Sequence, residues 1–201
     1  RVFLTSADGE DLVLLCVSTG GKELWRRKLG SGNRAVGFGD AEGNYASPSP
    51  VTDGRHVWAL VGSGDLACFD FEGKRVWEIN LQERYGRFSI QFGMSSSPLL
   101  VGNRLYLQVI HGSMRGTEEP AYVLAVDKLS GREAWKRPRK TGARSECKHS
   151  YASPVLYDNG KIRFLLTHGA DYLVAHDLET GAELWRMGGL NGTPGTSRPP
   201  R

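Results

Sequence analysis

Four stretches of this chain end alike on tryptophan: LLCVSTGGKELW, LACFDFEGKRVW, YVLAVDKLSGREAW and YLVAHDLETGAELW. Trp25, Trp77, Trp135 and Trp185 are spaced by 52, 58 and 50 residues. A second landmark, the pairs Ser47-Pro48, Ser97-Pro98 and Ser153-Pro154, keeps nearly the same step, 50 and 56. Two landmarks sharing one period mark a genuine internal repeat of about 50 residues, and a repeat of that length constrains the architecture more than any other feature.

Within each period, β-branched and aromatic residues alternate at period two and are cut by turn residues. Asp53-Gly54, Gly102-Asn103 and Asn159-Gly160 each turn one strand into the next, since these pairs supply the positive φ angles of tight hairpins. A second turn, GSGD at 62–65 or HGAD at 168–171, leads to a third strand, and a glycine turn leads to the strand that bears tryptophan. Each repeat therefore reads as a four-stranded antiparallel meander. No segment holds a 3.6-residue period over a helix length, so the chain reads as all-β.

Such a meander cannot bury both of its faces alone. Stacking sheets radially solves the problem, and the solution is a β-propeller of roughly 4–8 four-stranded blades. Gly21, Gly73, Gly131 and Gly181 stand four residues before each tryptophan, where the hairpin needs a left-handed residue. Each indole, with about 150–250 Å² to bury, is expected to wedge between its blade and the neighbouring one.

The strings AVDKLSGREAW and AHDLETGAELW resemble the A-x-D-x-x-[TS]-G-x-x-x-W signature of the pyrroloquinoline-quinone (PQQ)-like propeller repeats at every specified position. CFDFEGKRVW and CVSTGGKELW are similar with a turn one residue shorter, Cys in place of Ala and, in the second, Ser18 in place of Asp. The resemblance spans the whole chain, 1–201, as a single propeller domain. Residues 1–29 read as the last three strands of a blade; 46–81, 96–137 and 152–187 as three full blades; 188–201 as the lead-in to a missing one. The resemblance implies a partial propeller cut from a ring of seven or eight blades. The alternative is a closed four-bladed ring in which the tail completes the first blade.

The resembled family includes quinoprotein alcohol and sugar dehydrogenases, which hold PQQ against a disulfide of adjacent cysteines and bind calcium through Glu, Asn and Asp. It also includes cofactor-free propellers, among them the lipoprotein of the outer-membrane β-barrel assembly machinery. This chain has three separate cysteines, Cys16, Cys68 and Cys147, and so no adjacent pair, no CxxC metal motif and no complete disulfide set. Cys16 and Cys68 stand nine residues before their tryptophans, as small packing residues. The expectation is a non-catalytic binding or assembly scaffold with no cofactor, no catalytic residue and no metal site. It would be exported to a bacterial periplasm or cell envelope and would bind a protein or peptide at the channel mouth. The alternative is a PQQ- and calcium-dependent dehydrogenase oxidising alcohols or sugars.

The loops leading into each first strand carry Arg34, Arg87 and Arg144, with Tyr45 and Tyr151 just ahead of two Ser-Pro blocks and His149 two residues after Cys147. If they converge they form a basic, aromatic-rimmed mouth for an anionic ligand or acidic peptide; otherwise the arginines are solvated and the tyrosines pack. Asp11, Asp65 and Asp171 are read as turn caps, with metal binding as the alternative. The run WKRPRKTGARSECKH (135–149) reads as a solvated loop or a polyanion site, although it lacks the interleaved aromatics of nucleic-acid binders. His111 opens the longest insertion, HGSMRGTEEP, where propellers vary their binding surfaces. A net charge of +4 is mild, and nothing requires nucleic acid. No run approaches the ~18 apolar residues of a membrane helix. The chain opens on Arg1 inside a strand, so its natural start is expected upstream.

Overall fold

The computed structural model describes residues 1–32, 45–118 and 120–190, which form four separate antiparallel sheets in chain order. The first holds three strands, β1 (Val2–Asp8), β2 (Asp11–Val17) and β3 (Glu23–Ser31). The second holds β4 (Val51–Thr52), β5 (His56–Leu60), β6 (Asp65–Asp70) and β7 (Arg75–Asn80). The third holds β8 (Leu99–Val101), β9 (Arg104–Val109), β10 (Tyr122–Asp127) and β11 (Glu133–Pro138). The fourth holds β12 (Val155–Asp158), β13 (Arg163–Gly169), β14 (Tyr172–His176) and β15 (Glu183–Met187). The chain is thus all-β, a partial propeller. The sequence shows no sign of one element, the single turn α1 (Leu81–Tyr85), whose first amides, Gln82 and Glu83, are capped by the Asn80 side chain.

Strand alternation builds the core by sending successive side chains to opposite faces. In β5, Val57 and Ala59 face the first sheet and cluster with Leu12, Leu14 and Leu29. Trp58 and Leu60 face the third sheet and cluster with Leu105, Leu107, Leu124 and Tyr122. Tyr106, Val123 and Trp135 then meet Leu165 of the fourth. Middle sheets are buried on both faces, so their inner strands read as continuous apolar runs, each buried leucine contributing about 1.5–3 kcal/mol.

Every third strand pairs a small residue with the tryptophan of the fourth: Cys16↔Trp25, Cys68↔Trp77, Ala125↔Trp135 and Ala175↔Trp185. The ladder shifts register directly after each pair, a β-bulge that re-aims the fourth strand. The following turn is organised by the signature aspartate. Asp127 Oδ1 accepts the Leu129 and Ser130 amides, and Asp177 Oδ1 those of Glu179 and Thr180. Bonds from the Ser130 and Thr180 hydroxyls, with these amides, hold both carboxyls below the usual range. Ser18 takes the same place in the first sheet, accepting the Lys22 amide.

The sheets are joined at this turn. Trp25 Nε1 donates to Phe71 O at 2.8 Å, Trp77 Nε1 to Lys128 O at 2.8 Å and Trp135 Nε1 to Leu178 O at 3.0 Å. The accepting carbonyl always belongs to the residue after the signature aspartate of the next sheet. A second-strand side chain shares two of these carbonyls: Trp58 Nε1 reaches Lys128 O at 2.7 Å, and the Tyr106 hydroxyl reaches Leu178 O at 3.1 Å. Each ring also lies on the next sheet's turn glycine, where a β-carbon would come within 2.9 Å of Trp25 at Gly73 and 2.7 Å of Trp77 at Gly131. The left-handed conformation expected of these glycines is present, and the indole above adds a second reason for them.

Two positions depart from the expected pattern. Trp185 is not wedged: it is 42% exposed, whereas Trp135 is 5% exposed, because no sheet follows it among the described residues. Gly21 is likewise uncovered, with nothing within 4 Å of where a β-carbon would stand. The second departure concerns the Ser-Pro landmark. Ser49 N donates to Ser97 Oγ at 2.8 Å and Ser97 N to Ser153 Oγ at 2.9 Å, and β4, β8 and β12 begin directly after Pro50, Pro98 and Pro154. The structural equivalent of Ser97 is therefore Ser49, not Ser47.

Candidate functional site

Three loops at one end of the sheets, 86–98 before β8, 110–121 between β9 and β10 and 139–154 before β12, carry Arg87, His111, Arg144, His149 and Tyr151. Two buried histidines tie them together. His149 Nε2 donates to Gly112 O at 2.8 Å while its Nδ1 accepts the Gln91 amide at 3.4 Å, so one ring joins all three loops. His111 Nδ1 accepts the Ser89 amide at 3.0 Å, which leaves the proton of the neutral ring on Nε2. Burial, with His149 nearby, holds the His111 pKa down to about 4. Gly112 N also donates to Ser89 O at 3.0 Å.

Three further residues, outside the set expected from sequence, fasten this end. Gln108 is 1% exposed; its Nε2 donates to Ser150 Oγ, Ala152 O and His168 O, and its Oε1 accepts the His168 amide. It staples the third sheet to the fourth. Lys148 is 7% exposed, and its ammonium donates to the carbonyls of Ser113, Gly116 and Glu118, closing the insertion on itself. Arg139 is 3% exposed, and its guanidinium donates to Thr167 Oγ1, Gly169 O and Tyr172 O. The basic run 135–149 is therefore not simply a solvated loop. One clue existed: Arg139 lies four residues after Trp135, where the first two sheets carry buried Leu29 and Leu81.

The expected mouth residues differ in burial and partners. Arg87 and Arg144 are exposed; Arg34 lies outside the described residues. Tyr45 is half-buried over Gly62, whose β-carbon would sit 2.7 Å from the ring, and its carbonyl accepts the Gly62 amide. Tyr151 packs against Phe92 with the rings tilted by 52° and their centroids 5.9 Å apart, and its carbonyl accepts the Ser95 hydroxyl. The corrected serine register shows why the two tyrosines do not match: Tyr45 stands four residues before its serine, Tyr151 two. His149 is a brace. Asp65 takes the Ser63 hydroxyl at 2.5 Å and Asn80 Nδ2 at 2.9 Å, while Asp11 pairs with Lys28 at 2.7 Å. Cys16 and Cys68 are fully buried, and burial pushes the Cys68 thiol up to about 12.

No three His, Cys, Asp or Glu side chains come together as a cation cradle among the described residues. The chain also has no two adjacent cysteines. No helix among the described residues is long and apolar enough to cross a membrane.

Comparison with known proteins identifies a family and several similar folds. The sequence model of a family named PQQ_2, described as outer membrane protein assembly factor BamB, matches residues 10–198. BamB from Moraxella catarrhalis is similar at 19% identity and a TM-score of 0.56, over 90% of this chain and 47% of that one. The quinohemoprotein alcohol dehydrogenase ADHIIG from Pseudomonas putida HK5 is similar at 16% identity and a TM-score of 0.62, over 97% and 33%. The corresponding dehydrogenase from Comamonas testosteroni is similar at 15% identity and a TM-score of 0.63, over 92% and 33%. This chain spans less than half the length of each of these structures. No curated protein matches it.

Proposed function

The chain belongs to the PQQ_2 family, that of the outer membrane protein assembly factor BamB, and from that premise we propose that it is a non-catalytic scaffold that grips a protein or peptide in the bacterial cell envelope. The observation that carries this reading is how the loop cluster uses its reactive groups. His111 and His149, the residues at this end best suited to proton transfer, are buried braces between loops. The charged and large apolar side chains that the same loops leave in water, among the described residues, are Arg87, Arg115, Lys140, Arg144 and Met114, with Glu118 the one acidic exception. That surface suits an acidic segment with an apolar side chain, gripped without chemistry. Rigidity follows from the staples below, since loops already ordered lose little entropy on binding.

The dehydrogenase reading stands on the fold likeness to the two alcohol dehydrogenases, at identities where likeness reports fold alone. Two experiments on the full-length protein separate the readings. A photo-crosslinking residue at position 114 should capture one envelope protein, and the Arg87→Glu, Arg144→Glu double variant should lose the adduct. Adding PQQ and Ca²⁺ should leave no quinone absorbance after gel filtration. Retained quinone together with dye reduction by alcohols or sugars would replace the scaffold with an enzyme.

A further inference from the structure

We infer that the junction between the third and fourth sheets holds a monatomic anion, of the chloride class, on Arg139 and His111. The two residues line one small, half-open pocket with Lys148, Thr141, Ala121 and Ala170. Arg139 Nη1 and His111 Nε2 are both buried and have no hydrogen-bond acceptor among the described residues. Each is a donor, because a guanidinium has no acceptor and the His111 proton sits on Nε2, opposite the Ser89 amide. The three donors of Lys148 are spent on three carbonyls.

Charge narrows the ligand further. Arg139 and Lys148 are 3% and 7% exposed, yet neither has a carboxylate within ion-pair distance among the described residues. Buried charges are almost always paired, and a buried cation without its counter-ion is strongly disfavoured. A water would satisfy the two donors but not the charge. Size narrows the ligand again: the inner space is about 10 Å³, at the lower limit for one water, so phosphate, sulfate and carboxylate do not fit, and the lining side chains must give slightly for a halide. The first two sheets solve the same position without charge, using Leu29 and Leu81. An arginine in a leucine site is thus a local departure from the repeat, and a bound halide supplies its reason. The ion would lock the 110–121 insertion to the loop before β12.

Bromide is the probe. Crystals of the protein soaked in sodium bromide should show one anomalous peak within hydrogen-bond distance of Arg139 Nη1 and His111 Nε2. In solution, the melting temperature should rise saturably with sodium chloride at ionic strength held constant by sodium gluconate, whose anion is too large for the cavity. Arg139→Leu restores the residue type of the other sheets; it should fold, and the chloride-dependent rise should vanish. Density with no bromide signal at this position, or a chloride response that persists in Arg139→Leu, overturns the inference. The soak decides the matter even if the variant fails to fold.

Discussion

The indole of Trp135 lies so close upon Gly181 that a β-carbon there would stand 2.4 Å from its Cε3. The contact crosses from one sheet to the next and is accompanied by the bond from Trp135 Nε1 to Leu178 O. Gly131 and Gly73 receive Trp77 and Trp25 in the same way, so one residue both turns its own hairpin and seats its neighbour's ring.

Glycine-to-alanine variants separate those two duties. Gly21, Gly131 and Gly181 all have positive φ, +83°, +66° and +70°, but only the last two carry an indole. Gly21→Ala should cost only the left-handed strain, about 1–2 kcal/mol. Gly131→Ala and Gly181→Ala should cost at least about 2 kcal/mol more, because the ring must be displaced. Urea unfolding of the three variants checks the order; equal losses would mean that the indoles seal nothing.

The tryptophans themselves should differ in the same sense. Trp135→Ala empties a buried site and should cost about 3–5 kcal/mol. Trp185 is 42% exposed, so Trp185→Ala in this chain should cost about 1 kcal/mol or less. If a further sheet covers Trp185 in a longer form of the protein, its loss there should approach that of Trp135, which melts of the two forms would report.

The fold was legible because its governing contacts are periodic. A ring, its small cross-strand partner and its glycine recur at fixed offsets, so a single chain repeats the evidence. The loop cluster was not, because burial there depends on contacts far along the chain. Gln108 reaches Ser150 and His168, and Lys148 reaches back to Ser113. Tyr45 and Tyr151 looked equivalent only while Ser47 was aligned with Ser153. The structural register starts at Ser49, and with it the aromatic rim divides into two unrelated packing contacts. Arg139 carried a local sign, its leucine-like offset from Trp135, which charge composition hid.

Thiol chemistry should distinguish the three cysteines. Cys16 and Cys68 are fully buried, and burial raises both thiols, Cys68 to about 12. Cys147 is partly exposed in its loop. A thiolate is the reactive form, so native protein should take up one equivalent of an aromatic disulfide reagent quickly, and the remaining two only on unfolding. Cys147→Ser should abolish the fast phase; a fast phase that survives would place Cys16 or Cys68 in solvent.

Acid should destabilise the protein in two stages set by different groups. His176 is buried, with Nε2 facing Thr167 Oγ1 at 3.0 Å and Nδ1 facing Gly181 O at 3.3 Å, and burial lowers its pKa from 6.5 to about 4, as it does for His111. A pKa depressed in the folded state means that the unfolded chain takes up the proton first. Stability is therefore full above pH 6.5 and is lost as pH falls towards 4, by about 1.4 kcal/mol per pH unit per histidine within the window. Asp53 acts lower. Burial alone would raise its carboxyl, but the His56 amide, Lys128 at 3.0 Å and the Arg55 amide together hold it at about 2. Its contribution, cut by solvent screening to about 1 kcal/mol, is present above pH 4 and lost between pH 4 and 2. His176→Gln should roughly halve the slope of the upper stage, with His111 carrying the remainder. Asp53→Asn, which keeps a carbonyl for the turn amides, should flatten only the lower one. Unfolding midpoints in urea at pH 7, 5.5, 4 and 3 read both stages; a profile level from pH 7 to 4 would contradict burial of the neutral histidines.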